Sequence, residues 1–141
     1  TDKRYLETVD LVPSDLAGVV GISGPYDFLP LTDPDLIEVF GATEDWPESQ
    51  PVNFVDGDEP AFLLLHGADD RVVWPRNSSS LASKLTAKGV DARLVTYPSM
   101  DHFRIVAAFR FDGLAPTLND TADFMLAPNR LSRESGTAGE H

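Results

Sequence analysis

The sequence predicts a three-layer α/β fold, a parallel sheet with helices on both faces. Three observations predict it. The runs LAGVVGIS (16–23), AFLLLHG (61–67) and VDARLVTYP (90–98) have strand length. The first is rich in Val and Ile, as strands buried on both faces are, and the second is apolar. Segments of helical character follow each of them, so strand and helix alternate along the chain. That alternation calls for right-handed crossovers, which set consecutive strands parallel and place helices on the faces of the sheet.

Each element has its own signals. Residues 2–9 suit a short helix, and Pro13-Ser14-Asp15 is a turn. The first strand should be buried on both faces and ends at Gly24-Pro25. Residues 26–59 read as irregular, rich in Asp and Pro, with one helix at DPDLIEVFG. There Asp33 caps, Pro34 takes the first helical position and Gly41 terminates. The second strand ends at Gly67. NSSSLASKLTAKG (77–89) is amphipathic, with Leu81 and Leu85 on one face, Asn77 or Ser78 as cap, and Gly89 as stop. The third strand leads into a helix over HFRIVAAFRF (102–111), before Asp112-Gly113. A last helix spans 116–126. The expected organisation is one domain over 1–127 and a polar, flexible tail over 128–141.

The 141 residues suffice for one domain with a hydrophobic core. A formal net charge of −12 argues against a nucleic-acid backbone or an anionic membrane as partner. With no cysteine, thiolate chemistry, disulfides and Cys-ligated metals are excluded. No apolar run is long enough to span a bilayer. The chain opens on TDKRYLETVD, without an initiator Met, so it is read as starting inside a longer protein.

The chemistry concentrates at two strand ends. In parallel sheets ligands bind beyond the carboxyl ends of the strands. LLLHGADDRVV places Asp69 and Asp70 there, and YPSMDHF places His102 beyond the next strand. A carboxylate and a histidine so placed can be two members of a catalytic triad, the acid orienting the base. Two solvated loop residues are the plain alternative. Spacing and charge leave Asp69 and Asp70 equally eligible. His66 reads as a satisfied structural histidine, and His141 as inert.

No serine fits as nucleophile. Gly21-Ile22-Ser23-Gly24-Pro25 approaches G-x-S-x-G, but a proline replaces the last glycine and no helix follows. Ser78, Ser79 and Ser80 begin a helix, and Ser99 lies on the loop of His102 itself. Asp69, Asp70 and Asp101 match no metal-binding loop, so no metal is expected. Asn77-Ser78-Ser79 and Asn119-Asp120-Thr121 fit a glycosylation sequon, a match that arises often by chance.

LLLHGADDRVV resembles the H-G-x-x-D-x-x-V segment of α/β-hydrolases, in which the acid lies four residues after the histidine. YPSMDHF resembles the stretch that carries their catalytic histidine. GISGPYDFLPL and SQPVNFVDGDEPAFLLLHG are similar to the carboxylesterase and lipase branch, near its kynurenine formamidase-like members. The resemblance runs from about residue 2 to the helix after His102. It implies Asp70 as the acid, His102 as the base, and the chain order Ser, Asp, His. The serine elbow and oxyanion loop would then lie upstream of Thr1, and this chain would be the C-terminal half of the fold. Two positions depart from the pattern. Met100-Asp101 stand where a Gly often precedes the histidine, and Trp74 stands where a Pro commonly follows the Val. Trp74 is the expected substrate-binding residue.

The implied activity is hydrolysis of small carboxylic esters without a cofactor, or of formamides and amides by the same triad. The reading of another class is a non-catalytic fragment or binding module that keeps the fold alone.

Overall fold

The computed structural model describes residues 1–111 and 113–127. In chain order the elements are α1 (Arg4–Glu7), β1 (Val19–Ile22), α2 (Pro34–Phe40), β2 (Phe62–Gly67), α3 (Arg76–Ala87), β3 (Ala92–Tyr97), α4 (His102–Ala107) and α5 (Thr117–Met125). Short 3₁₀ helices cover Pro13–Asp15, Thr43–Ser49 and Pro51–Phe54.

The strands form one parallel sheet in the order β1-β2-β3. Every residue of β2 is buried. Side chains alternate across a strand, so β2 feeds two cores. Phe62 and Leu64 pack with Leu81 and Leu85 of α3. Leu63 and Leu65 pack with Met100, Ile105 of α4 and Phe124 of α5 on the other face. This sandwich produces the expected three layers. The Tyr97 hydroxyl donates to Asp120 Oδ2 at 2.5 Å, tying the end of β3 to α5. Burial and then that carboxylate push the phenol pKa well up.

α2 forms as its signals require. The Asp33 side chain accepts from the Asp35 N–H, Pro34 opens the helix, and Gly41 closes it at φ 71°. Such a positive φ suits glycine.

Three readings are corrected. β1 is half-buried rather than buried on both faces, because among the described residues only β2 pairs with it. Asn77 and Ser78 do not cap α3, which starts at Arg76 after Pro75 with no side-chain cap. They turn inward instead, to partners described below. Finally, α4 ends at Ala107, short of residue 111. The expected tail over 128–141, with His141, lies outside the described residues. No helix among the described residues is long and apolar enough to cross a membrane.

Candidate active site

The two chemical loops are locked against each other at the carboxyl end of the sheet. The Ala68 N–H donates to Tyr97 O at 2.9 Å, and the Asp69 N–H donates to Met100 O at 3.0 Å. Gly67 permits this approach. A Cβ there would stand 2.3 Å from the Met100 carbonyl oxygen, closer than any side chain tolerates. Past Met100, Asp101 accepts the N–H groups of Phe103 and Arg104 and so caps α4. The carboxylate that stands just before the imidazole is thereby used by the helix start. The cap fixes His102 as the first residue of α4.

These constraints bring Asp70 and His102 together. His102 Nδ1 lies 2.8 Å from Asp70 Oδ2. The other carboxylate oxygen accepts the Val72 and Val73 N–H groups, both at 2.9 Å. The Asp70 side chain is fully buried, whereas that of His102 is 27% exposed. Burial pushes the Asp70 carboxyl up. The hydrogen bonds from His102, Val73 and Val72 pull it down, and the net effect holds it below its ordinary value. An ionised carboxylate can only accept, so Nδ1 donates, and in the neutral tautomer this selects, Nε2 is the acceptor. Such a pair can orient and activate a base; it supplies no nucleophile.

The other sequence candidates fall elsewhere. Asp69 is exposed, and its side chain has no hydrogen-bond partner among the described residues. Ser23 is buried at 2% exposure, at φ 44°, and its hydroxyl has no partner among the described residues. Asp69, Asp70 and Asp101 do not form a cluster. Among the described residues the acids that gather are Asp56, Asp58 and Glu59, where the Lys3 ammonium bridges the two aspartates at 2.7 Å each. Asn77, the acceptor of the first sequon, is buried.

His66 is fully buried. Its Nδ1 meets Ser78 Oγ at 2.7 Å and its Nε2 meets Val73 O at 2.9 Å. Trp74 is 57% exposed and forms part of the wall of a groove of about 820 Å³. Phe28, Leu31, Phe40 and Val72 line the same groove. Asp70 and His102 are not in its walls; Val72 and Val73 connect it to the Asp70 carboxylate.

Sequence reasoning missed two buried amides that shape this groove. Asn77 Oδ1 accepts the N–H groups of Tyr26 and Asp27, at 2.9 and 2.7 Å. Gln50 Oε1 accepts that of Phe28 at 2.8 Å. No local pattern announces either, because their partners lie 22 to 51 positions away.

The prolyl oligopeptidase family model matches residues 32–124. Among solved structures, the chain is similar to a truncated form of a carbohydrate esterase from gut microbiota. The TM-score is 0.65 at 25% identity, over 78% of this chain and 41% of that one. It is also similar to Thermogutta terrifontis esterase 2. With the tabun-phosphoramylated form the TM-score is 0.56 at 18% identity, over 92% of this chain and 46% of that one. With the apo form it is 0.54 at 19% identity, over 87% and 43%. No curated protein sequence matches the chain. The chain thus spans less than half the length of each of these esterases.

Proposed function

This chain belongs to the prolyl oligopeptidase family and has the α/β-hydrolase fold, and on that premise we propose that it carries the acid and the base of a serine hydrolase acting on small carboxylic esters. The observation that carries the proposal is the 2.8 Å contact between a fully buried Asp70 and a partly open His102. In the proposed reaction a serine hydroxyl, supplied by a segment upstream of Thr1, attacks the acyl carbon. His102 Nε2 takes the serine proton and returns it to the departing alcohol. Asp70 holds the ring in its working tautomer and stabilises the imidazolium that forms. Backbone N–H groups, also from the upstream segment, receive the oxyanion. A water molecule, activated by the same histidine, then releases the acid and restores the serine. The scheme needs no cofactor.

Trp74 is proposed as a substrate-binding residue. The support is its place in the wall of the apolar groove that adjoins the Asp70 turn. The family name favours one second reading, cleavage of an amide or peptide bond, since the same triad serves both and only the pocket differs. The full-length protein should be assayed with short-chain activated esters and with a chromogenic prolyl peptide. Asp70→Asn should lower kcat by about 10⁴-fold, as loss of the orienting acid does in a triad. Asp69→Asn should stay within roughly threefold of the parent, as an exposed loop change does. Equal losses in the two variants would overturn the acid assignment. Peptide turnover exceeding ester turnover would move the substrate class. Binding without any turnover would favour the non-catalytic reading.

A further inference from the structure

We infer that His66 is a positioning residue for the acid: through Val73 and Ser78 it fixes the turn that aims the Asp70 carboxylate at His102. The inference rests on the reading of Asp70 as the catalytic acid. His66 is the penultimate residue of β2, and both of its ring nitrogens are committed. The Val73 carbonyl only accepts, so Nε2 bears the proton. Nδ1 then accepts the Ser78 hydroxyl. One tautomer of a neutral ring satisfies both contacts.

The consequence lies in where Val73 stands. Its N–H donates to Asp70 Oδ1 while its carbonyl receives His66. The peptide groups on both sides of Val73 are therefore both held, one by the acid and one by His66. Ser78 sits in the first turn of α3, so the chain of contacts runs from the helix through the imidazole to the turn. His66 Nε2 also lies 3.4 Å from Asp70 Oδ2, the oxygen that His102 approaches at 2.8 Å. That distance exceeds a good hydrogen bond, and the Nε2 proton goes to Val73 O, so the contact sets the ring beside the carboxylate without bonding it. A histidine that merely filled the core would have no need to reach the acid's own turn.

The test uses the full-length enzyme and one short-chain ester, with kcat and KM measured separately and thermal unfolding followed in parallel. His66→Ala should lower kcat by about 100-fold, the cost of misplacing a catalytic group by roughly 1 Å, with KM within about threefold. His66→Gln should recover most of that loss, because its carboxamide N–H can still reach Val73 O. Ser78→Ala should lower kcat by roughly tenfold through the freed ring. A folded His66→Ala with parental kcat, or a Gln variant no better than Ala, would overturn the inference. Should His66→Ala not fold, parental kcat in Ser78→Ala together with a kcat in His66→Gln reduced about 100-fold would overturn it equally. Parental kcat in Asp70→Asn would instead remove the acid assignment on which it rests, a result distinct from all the others.

Discussion

Asp70 carries a charge in a place that excludes water, and its hydrogen bonds decide the outcome. Burial works against ionisation, while His102, Val73 and Val72 together hold the carboxyl below its ordinary value. In the unfolded chain this aspartate should titrate near its ordinary value of about 3.9. A group whose pKa is lowered on folding stabilises the fold above its unfolded pKa and loses that contribution as pH falls through the native one. The stability tied to Asp70 should thus be complete above about pH 4 and decline below it. Asp70→Asn has no such charge to lose. Urea midpoints at about pH 6 and about pH 3 should therefore fall further in the parent than in the variant; equal declines would show that other carboxylates govern the acid response. At this scale the sequence revealed the types of residue and left their pairing open. Asp69 and Asp70 are indistinguishable by spacing and charge, and only the resemblance singled out Asp70. Burial and the turn into Val72 and Val73 separate them physically. The partnership of His66 with Val73 was hidden, since it exists only once the loop folds back over the strand end.

The elements set the acid and the base through backbone contacts and set the pocket through side chains, and the two differ in legibility. Strand positions followed from apolar runs, and α2 followed from Asp33, Pro34 and Gly41, because these signals act within a few residues. The start of α3 was misread. Ser and Asn are common caps, but here Asn77 serves two N–H groups of the 26–27 segment and Ser78 serves His66. Long-range demand outweighed the local preference. Asn77 thereby fastens the 26–27 segment to α3 and Gln50 holds Phe28 next to it, which preforms the groove facing Trp74. If that groove receives part of the ester, its apolar walls should favour bulk. Trp74→Ala should change the ratio of kcat/KM between long and short acyl esters by about tenfold, within the 1–3 kcal/mol scale of apolar pocket contacts. An unchanged ratio across an acyl series would place the groove outside the substrate path.

At the scale of the molecule, the described residues leave one sheet edge and apolar surface beside it uncovered. β1 pairs on one side only among the described residues. Beside it, Val20, Ile22, Phe109 and Met125 line an apolar groove of about 390 Å³. Phe103, Val106 and Leu126 are each more than half exposed on or just beyond the nearby helices. A strand edge next to apolar surface recruits further strands, whether native or not. The net charge of −12 opposes association between copies but adds no core. On the proposed function, the natural occupant of this side is the segment that brings the serine. Two results should follow. Residues 1–141 alone should show no ester turnover above background, since Asp70 and His102 have no hydroxyl to activate. The isolated chain should also associate, or melt without cooperativity. The measurement is expression of 1–141 by itself, then light scattering, thermal unfolding and an activated-ester assay, with and without the upstream segment added as a separate chain. Turnover by a monomeric, cooperatively melting 1–141 would place a nucleophile within it, and the buried hydroxyl of Ser23, unpartnered among the described residues, would be the first to mutate. Turnover that appears only on mixing would tie the missing nucleophile to the segment covering β1.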